Sequence, residues 1–160
     1  MATQRIGIIM HGVTGRMGYN QHLVRSIQAI IQDGGLLLSN GDRLLPDPIL
    51  VGRNEKKMEA LAKEQGIARW SDSVEQCLAN TEDTLFFDAG TTQMRSDLLS
   101  RAIQAGKHIY CEKPSADTLE NALAVARLAR KKGVKHGVVQ DKLFLPGLLK
   151  LKSLIDSGYF

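Results

Sequence analysis

Gly12-Val13-Thr14-Gly15-Arg16-Met17-Gly18 is the stretch whose context decides the fold. An apolar run, Ile6 to Met10, precedes it. A segment with apolar residues at helical spacing (Met17, Leu23, Val24, Ile27, Ile30, Ile31) follows it. The order is strand, glycine turn, helix. Such a turn suits a dinucleotide pyrophosphate, because glycines let the backbone approach phosphates and the unpaired N–H groups and dipole of a helix start favour negative charge. A tight strand-to-helix turn also needs glycine for steric reasons alone, so the remainder of the chain has to separate the two possibilities.

Working outward, Arg5 to Met10 is apolar almost throughout, as expected of a strand covered on both faces. The spacing predicts a helix over Arg16 to Gln32, stopped at Asp33-Gly34-Gly35. Asn40-Gly41 between apolar runs predicts an inserted hairpin over 36–45, closed by Pro46 and Pro48, with the second sheet strand at Pro48 to Gly52. Asn54 is placed to cap a helix to Gln65 with Met58, Leu61 and Ala62 on its inner face. A short third strand, Ile67 to Trp70, and a short helix, Val74 to Leu78, come next.

The fourth strand is Thr84 to Asp88, followed by the loop Gly90-Thr91-Thr92 and a helix from Met94 to Ala105. Lys107 to Glu112 reads as the fifth strand. Asp117 then caps a helix over Leu119 to Lys132, with Leu119, Leu123, Ala126, Leu128 and Ala129 as its buried stripe, and Val134 to Gln140 is the sixth strand. Regular alternation of strands and helices predicts an α/β fold with a doubly wound parallel sheet. Residues 1–140 make up that domain. In residues 141–160 a loop and an amphipathic helix, Gly147 to Asp156, end in Tyr159 and Phe160. Two uncovered aromatics there suggest that this segment begins a connection to a second domain.

The chain has 160 residues, 43% hydrophobic and 24% charged, with a formal charge of +4. These are values of an ordinary globular domain. Its lysines and arginines are spread over several helices without a basic stripe, which argues against nucleic acid as partner. No run approaches the roughly 20 apolar residues of a membrane span. Cys77 and Cys111 lie in unlike contexts and signal neither a disulfide framework nor a metal site, so reduced thiols in a cytoplasmic protein are expected. His22, His108 and His136 share no metal-like spacing, and His11, which closes the first strand, either approaches a bound nucleotide or is simply half-buried. Met17 and Met94 are expected in packing roles, and Tyr110 inside the core.

Ligands of doubly wound sheets gather at the carboxyl ends of the strands. Here those ends are the glycine turn (Gly12, Thr14, Gly15, Arg16, Met17, Gly18), then Arg53 and Asn54, Thr91 and Thr92, Glu112-Lys113-Pro114, and Gln140. Arg53 stands where a dinucleotide-binding fold usually places an acid for the adenosine ribose. A guanidinium there holds a 2′-phosphate by charge-assisted bonds, which favours NADP and leaves NAD possible; Arg53 also reads as a solvated strand-end residue. Lys113 at a strand end can hydrogen-bond a substrate hydroxyl or carbonyl, and Pro114 fixes the local backbone.

Three segments resemble the Gfo/Idh/MocA family of glucose–fructose oxidoreductases and inositol dehydrogenases: Arg5 to Gly18, Ala105 to Pro114, and Leu151 to Gly158. The resemblance covers the family's N-terminal nucleotide-binding part only. It implies a Rossmann domain in which Lys113 positions substrate and assists proton movement during hydride transfer. Glu112, Pro114 and the Thr91-Thr92 loop would lie close to the cofactor. It also implies a sugar, cyclitol or other polyol as small-molecule substrate, further catalytic groups in a second domain, and homo-oligomers formed through that domain. The chain departs from the family at Thr14, where a second glycine is commoner, and at Thr92-Gln93, which replaces proline-asparagine. The Gly15-Arg16-Met17-Gly18 spacing also resembles dihydrodipicolinate reductases, and a non-catalytic NADP(H) sensor is the alternative from another class.

Overall fold

In the computed structural model of the chain, which describes residues 2–160, the apolar run around Ile6 becomes β1 (Thr3–His11), buried from Gly7 to Met10. It pairs in parallel with β3 (Arg43–Val51) at one edge and β5 (Asp83–Asp88) at the other. A strand with neighbours on both edges and helices over both faces has no wet side, hence the unbroken apolar run. β2 (Leu36–Leu37), β4 (Arg69–Ser71), β6 (His108–Cys111) and β7 (His136–Val138) complete a 7-stranded sheet of order β2-β3-β1-β5-β6-β7, with β4 also against β3. All pairings are parallel except that of β2. The chain winds outward from β1 through β3 and β4, then returns to build β5, β6 and β7 on the opposite edge. That reversal opens a crevice above the carboxyl ends of β1 and β5.

Period-two alternation divides the core. Ile9, Phe86 and Val51 point to the side covered by α4 (Thr92–Gln104) and α5 (Leu119–Lys132). Ile8, Met10, Leu50 and Phe87 point to the side covered by α1 (residues 17–32) and α2 (Glu55–Glu64). A short α3 (Val74–Ala79) caps the first cluster with Cys77 and Leu78. A 3₁₀ turn, Asp141–Phe144, precedes α6 (Pro146–Asp156), on which only Leu154 is partly covered. No helix among the described residues is long and apolar enough to cross a membrane.

Several local expectations are corrected. α1 is wound with π geometry over Met17–Gln28 and closes with an α turn, Ala29–Gln32. Its i→i+5 winding moves residues off a 3.6-residue stripe, so Leu23 is buried while Met17 is 40% exposed. The hairpin at 36–45 forms, but its second arm is the start of β3, which runs through both Pro46 and Pro48. Those prolines are two apart, so both imide nitrogens face one edge. The outer edge of β3 has no partner between Leu44 and Ile49, and no ladder bond is lost there.

Thr118, not Asp117, caps α5 by accepting from the Asn121 N–H at 3.2 Å; Asp117 accepts from the Asn121 side chain instead. The inner face of α5 is Val125 and Ala129, with Leu119 and Leu123 exposed. Tyr110 is also exposed, its ring lying against Phe87. The last sheet strand is shorter than expected, because only His136–Val138 faces β6.

Candidate functional site

Three glycines of the turn do different physical work. Gly12 adopts a φ of 79°, and a Cβ there would overlap the Ala89–Gly90 backbone beyond β5. A Cβ at Gly18 would overlap the Gly12 carbonyl. Both glycines are demanded by the packing of β1, α1 and the loop after β5. At Gly15 an added Cβ would meet only the Gly12 carbonyl oxygen, at an ordinary 3.4 Å. The fold does not require glycine at this exposed position. α1 begins without a side-chain cap and without an acidic residue in its first turn. The Tyr19 N–H is taken by the Gly15 carbonyl at 2.8 Å, and the N–H groups of Met17 and Gly18 ahead of it are left for a ligand or water.

The crevice above β1, β3 and β5 has a volume of about 490 Å³, and Gly12, Thr14, Arg53, Asn54, Lys57 and Thr91 are among the residues that line it. Among the described residues, no acidic side chain lines it. Gly15 and Arg16 open onto an adjoining concavity between α1 and α2, which Lys57 and Glu64 also border, Glu64 accepting from the Tyr19 hydroxyl. Arg16, Arg53 and Lys57 form no ion pair among the described residues. The Asn54 side chain is spent on capping α2, where it accepts from the Lys57 N–H at 3.0 Å. His11 and Met94 reach the same crevice, so Met94 is a wall residue rather than core packing.

Behind the crevice lies a buried charged network. Asp88, fully buried at the end of β5, accepts from His11 Nδ1 at 2.6 Å and the Gly90 N–H at 3.1 Å through one oxygen, and from Arg95 Nε at 2.7 Å through the other. Burial alone would push its carboxyl up; the bonds from His11 and Arg95 outweigh that and hold it below the usual carboxylate range. Arg95 spends its remaining donors on the carbonyls of Gly90, at 2.6 Å, and Pro114. Arg95 shares the buried face of α4 with Leu98, Leu99, Ala102 and Ile103. An arginine on an apolar stripe demands a buried anion, and that was the available signal for this network.

The Glu112-Lys113-Pro114 turn lies beside the crevice without lining it. Glu112 is buried and accepts from His22 Nε2 at 2.7 Å and from the Lys113 N–H at 3.1 Å. Lys113 and Pro114 are exposed and joined by a cis peptide bond. Thr92 is the half-buried first residue of α4, and Gln140 is exposed beyond β7. Lys57, Arg95 and the His22–Glu112 contact escape a reading by strand ends, since each depends on a side chain reaching across elements; Asp88 stands at a strand end, but its bonds to His11 and Arg95 do not show in the sequence.

The model of an oxidoreductase family with an NAD-binding Rossmann fold matches residues 40–140. A D-xylose dehydrogenase of Paenarthrobacter nicotinovorans is 47% identical over 158 residues, 99% of this chain and 41% of its own length. A scyllo-inositol 2-dehydrogenase (NAD(+)) of Bacillus subtilis is 28% identical over 90% of this chain and 38% of its own length. Among solved structures, an oxidoreductase domain protein from Kribbella flavida superposes with a TM-score of 0.81 at 24% identity, over 97% of this chain and 40% of that one. The chain thus spans about two-fifths of the length of these proteins.

Proposed function

Because the chain belongs to the Gfo/Idh/MocA oxidoreductase family, with its NAD-binding Rossmann fold, we propose that it forms the cofactor-holding part of a dehydrogenase acting on a sugar or related polyol. The observation that carries this is the pairing of an acid-free, cation-lined crevice with an uncapped helix start at a glycine the fold does not require. The pyrophosphate would rest on the Gly12–Gly18 turn, near Thr14, Gly15 and Arg16. Arg53 and Lys57 would receive the adenosine end, and with no carboxylate among the described residues lining this crevice to bond a 2′-hydroxyl the choice falls on NADP. Thr91 and Met94 would border the nicotinamide side. When bound, the nicotinamide supplies the hydride acceptor or donor.

Lys113 then has a defined task. Oxidising an alcohol removes a hydride from carbon and a proton from oxygen. An amine beside the crevice can hold that oxygen and take up or pass on the proton. Glu112 and Pro114 set the turn that carries it. The relatives' names put aldoses such as D-xylose first among substrates and cyclitols second. The remaining catalytic groups would belong to a second domain reached through residues 141–160, where homo-oligomers would also form. The two buried, unpaired thiols fit a cytoplasmic setting.

The test uses the complete enzyme with NADP or NAD against D-xylose and myo-inositol. Turnover is expected with NADP and an aldose, and Lys113→Ala is expected to lower kcat at least about a hundredfold while sparing cofactor affinity. Cofactor binding without turnover on any polyol would instead favour a nucleotide sensor.

A further inference from the structure

The turn that carries Lys113 is held at both ends by side chains from other elements. On its N-terminal side the Glu112 carboxylate joins His22 of α1, at 2.7 Å, to the Lys113 N–H, at 3.1 Å. On its C-terminal side the Pro114 carbonyl accepts from Arg95 of α4. Between these anchors the Lys113 side chain is exposed and has no hydrogen-bond partner among the described residues. The same Arg95 guanidinium holds the Gly90 carbonyl, at 2.6 Å, in the loop that walls the crevice.

We infer that His22 and Arg95 are positioning residues that clamp the Lys113 turn against the cofactor crevice. The inference rests on the role proposed for Lys113. Asp88 takes only the Nε–H of this guanidinium; its two terminal nitrogens donate to backbone carbonyls in two different loops, Gly90 after β5 and Pro114 after β6, so that one side chain ties the two loops to each other. Buried ion pairs contribute little net stability relative to apolar packing, but they hold geometry well. The forked guanidinium fixes two loops relative to each other, which a lysine's single ammonium does not reproduce. His22 supplies the second point, so the turn cannot pivot about Pro114.

The test places His22→Phe, His22→Gln and Arg95→Lys in the complete enzyme, each alone and combined with Lys113→Ala. His22→Phe and Arg95→Lys are expected to lower kcat about tenfold or more, since small misplacements of a reacting group are costly. Cofactor affinity, read by NADPH fluorescence titration, should stay within about twofold, the change expected of substitutions away from the bound ligand. His22→Gln, which keeps a donor for Glu112, should recover much of the loss. In the Lys113→Ala background the same substitutions should cost nothing more, because residues acting through one group are not additive. Without cofactor, hydrogen exchange across residues 110–117 should quicken while β1 and β5 stay protected.

Multiplying losses, or faster exchange throughout the sheet, would overturn the clamp while leaving the lysine's role intact. Full activity of Lys113→Ala alone would remove both. Should Arg95→Lys fail to fold, the His22 pair decides, because it leaves the Asp88 network untouched and His22→Gln keeps a donor for the buried Glu112 carboxylate.

Discussion

His11 and Asp88 are opposite neighbours in the β1–β5 ladder, and their side chains meet at 2.6 Å, Nδ1 to Oδ1. The carboxylate that closes β5 is thereby tied to the residue that closes β1, at the floor of the crevice. The native carboxyl is held below its ordinary value against the effect of burial, so the unfolded chain binds a proton there more readily than the folded one. Stability from this site is complete above the ordinary carboxylate pKa of about 3.9 and is lost as pH falls through the lower native value. Urea denaturation from neutral to acid pH should show this loss. Asp88→Asn should flatten that limb and cost about 3 kcal/mol at neutral pH, because Arg95 is left buried without its anion.

Gly15 and Gly18 should respond oppositely to the same added methyl. Gly15→Ala meets only an ordinary contact and should leave the thermal midpoint unchanged or slightly raised. Its cofactor affinity should fall about tenfold or more, since the methyl sits where phosphate would approach. Gly18→Ala collides with the Gly12 carbonyl and should lower stability by roughly 1–3 kcal/mol, the usual range for overpacking. Thermal melts and NADPH titration separate the two.

Arg53 and Lys57 line one crevice with no carboxylate. Arg53→Ala should weaken NADP binding about tenfold and leave NAD nearly unaffected, with a smaller change for Lys57→Ala. An unchanged ratio of the two affinities would remove Arg53 from the adenosine site.

Cys111 is 1% exposed, and burial pushes its thiol up to about 11; burial raises Cys77 as well. Neither should react with a thiol reagent at neutral pH in the folded protein, because the thiolate is the reacting species. Reaction should begin only with unfolding, so the labelling rate in mild denaturant reports the opening of the sheet. Fast labelling of the native chain would contradict this burial.

Much of the fold was legible locally. The apolar run of β1, the Asn40-Gly41 hairpin, the Asn54 cap and the strand–helix alternation each follow from near neighbours in the chain, and each has its place in the structure. Where the local signal was ambiguous it failed in a recognisable way. Pro46 and Pro48 read as the close of the inserted hairpin, whereas β3 runs through both of them at an unpaired edge. A π-wound helix also displaced a stripe drawn for 3.6 residues per turn.

The glycine turn, Arg53 and the Glu112-Lys113-Pro114 segment were visible as candidate site residues at strand ends, because backbone freedom and charge are properties of the residues themselves. What joins them was not. Lys57 enters the crevice from α2, His22 reaches Glu112 across 90 positions, and Arg95 ties Asp88, Gly90 and Pro114 together from inside a helix. Residue type and spacing are read along the chain. The pairing of buried charges depends on which strands lie side by side, and burial then obliges each charge to find its partner there.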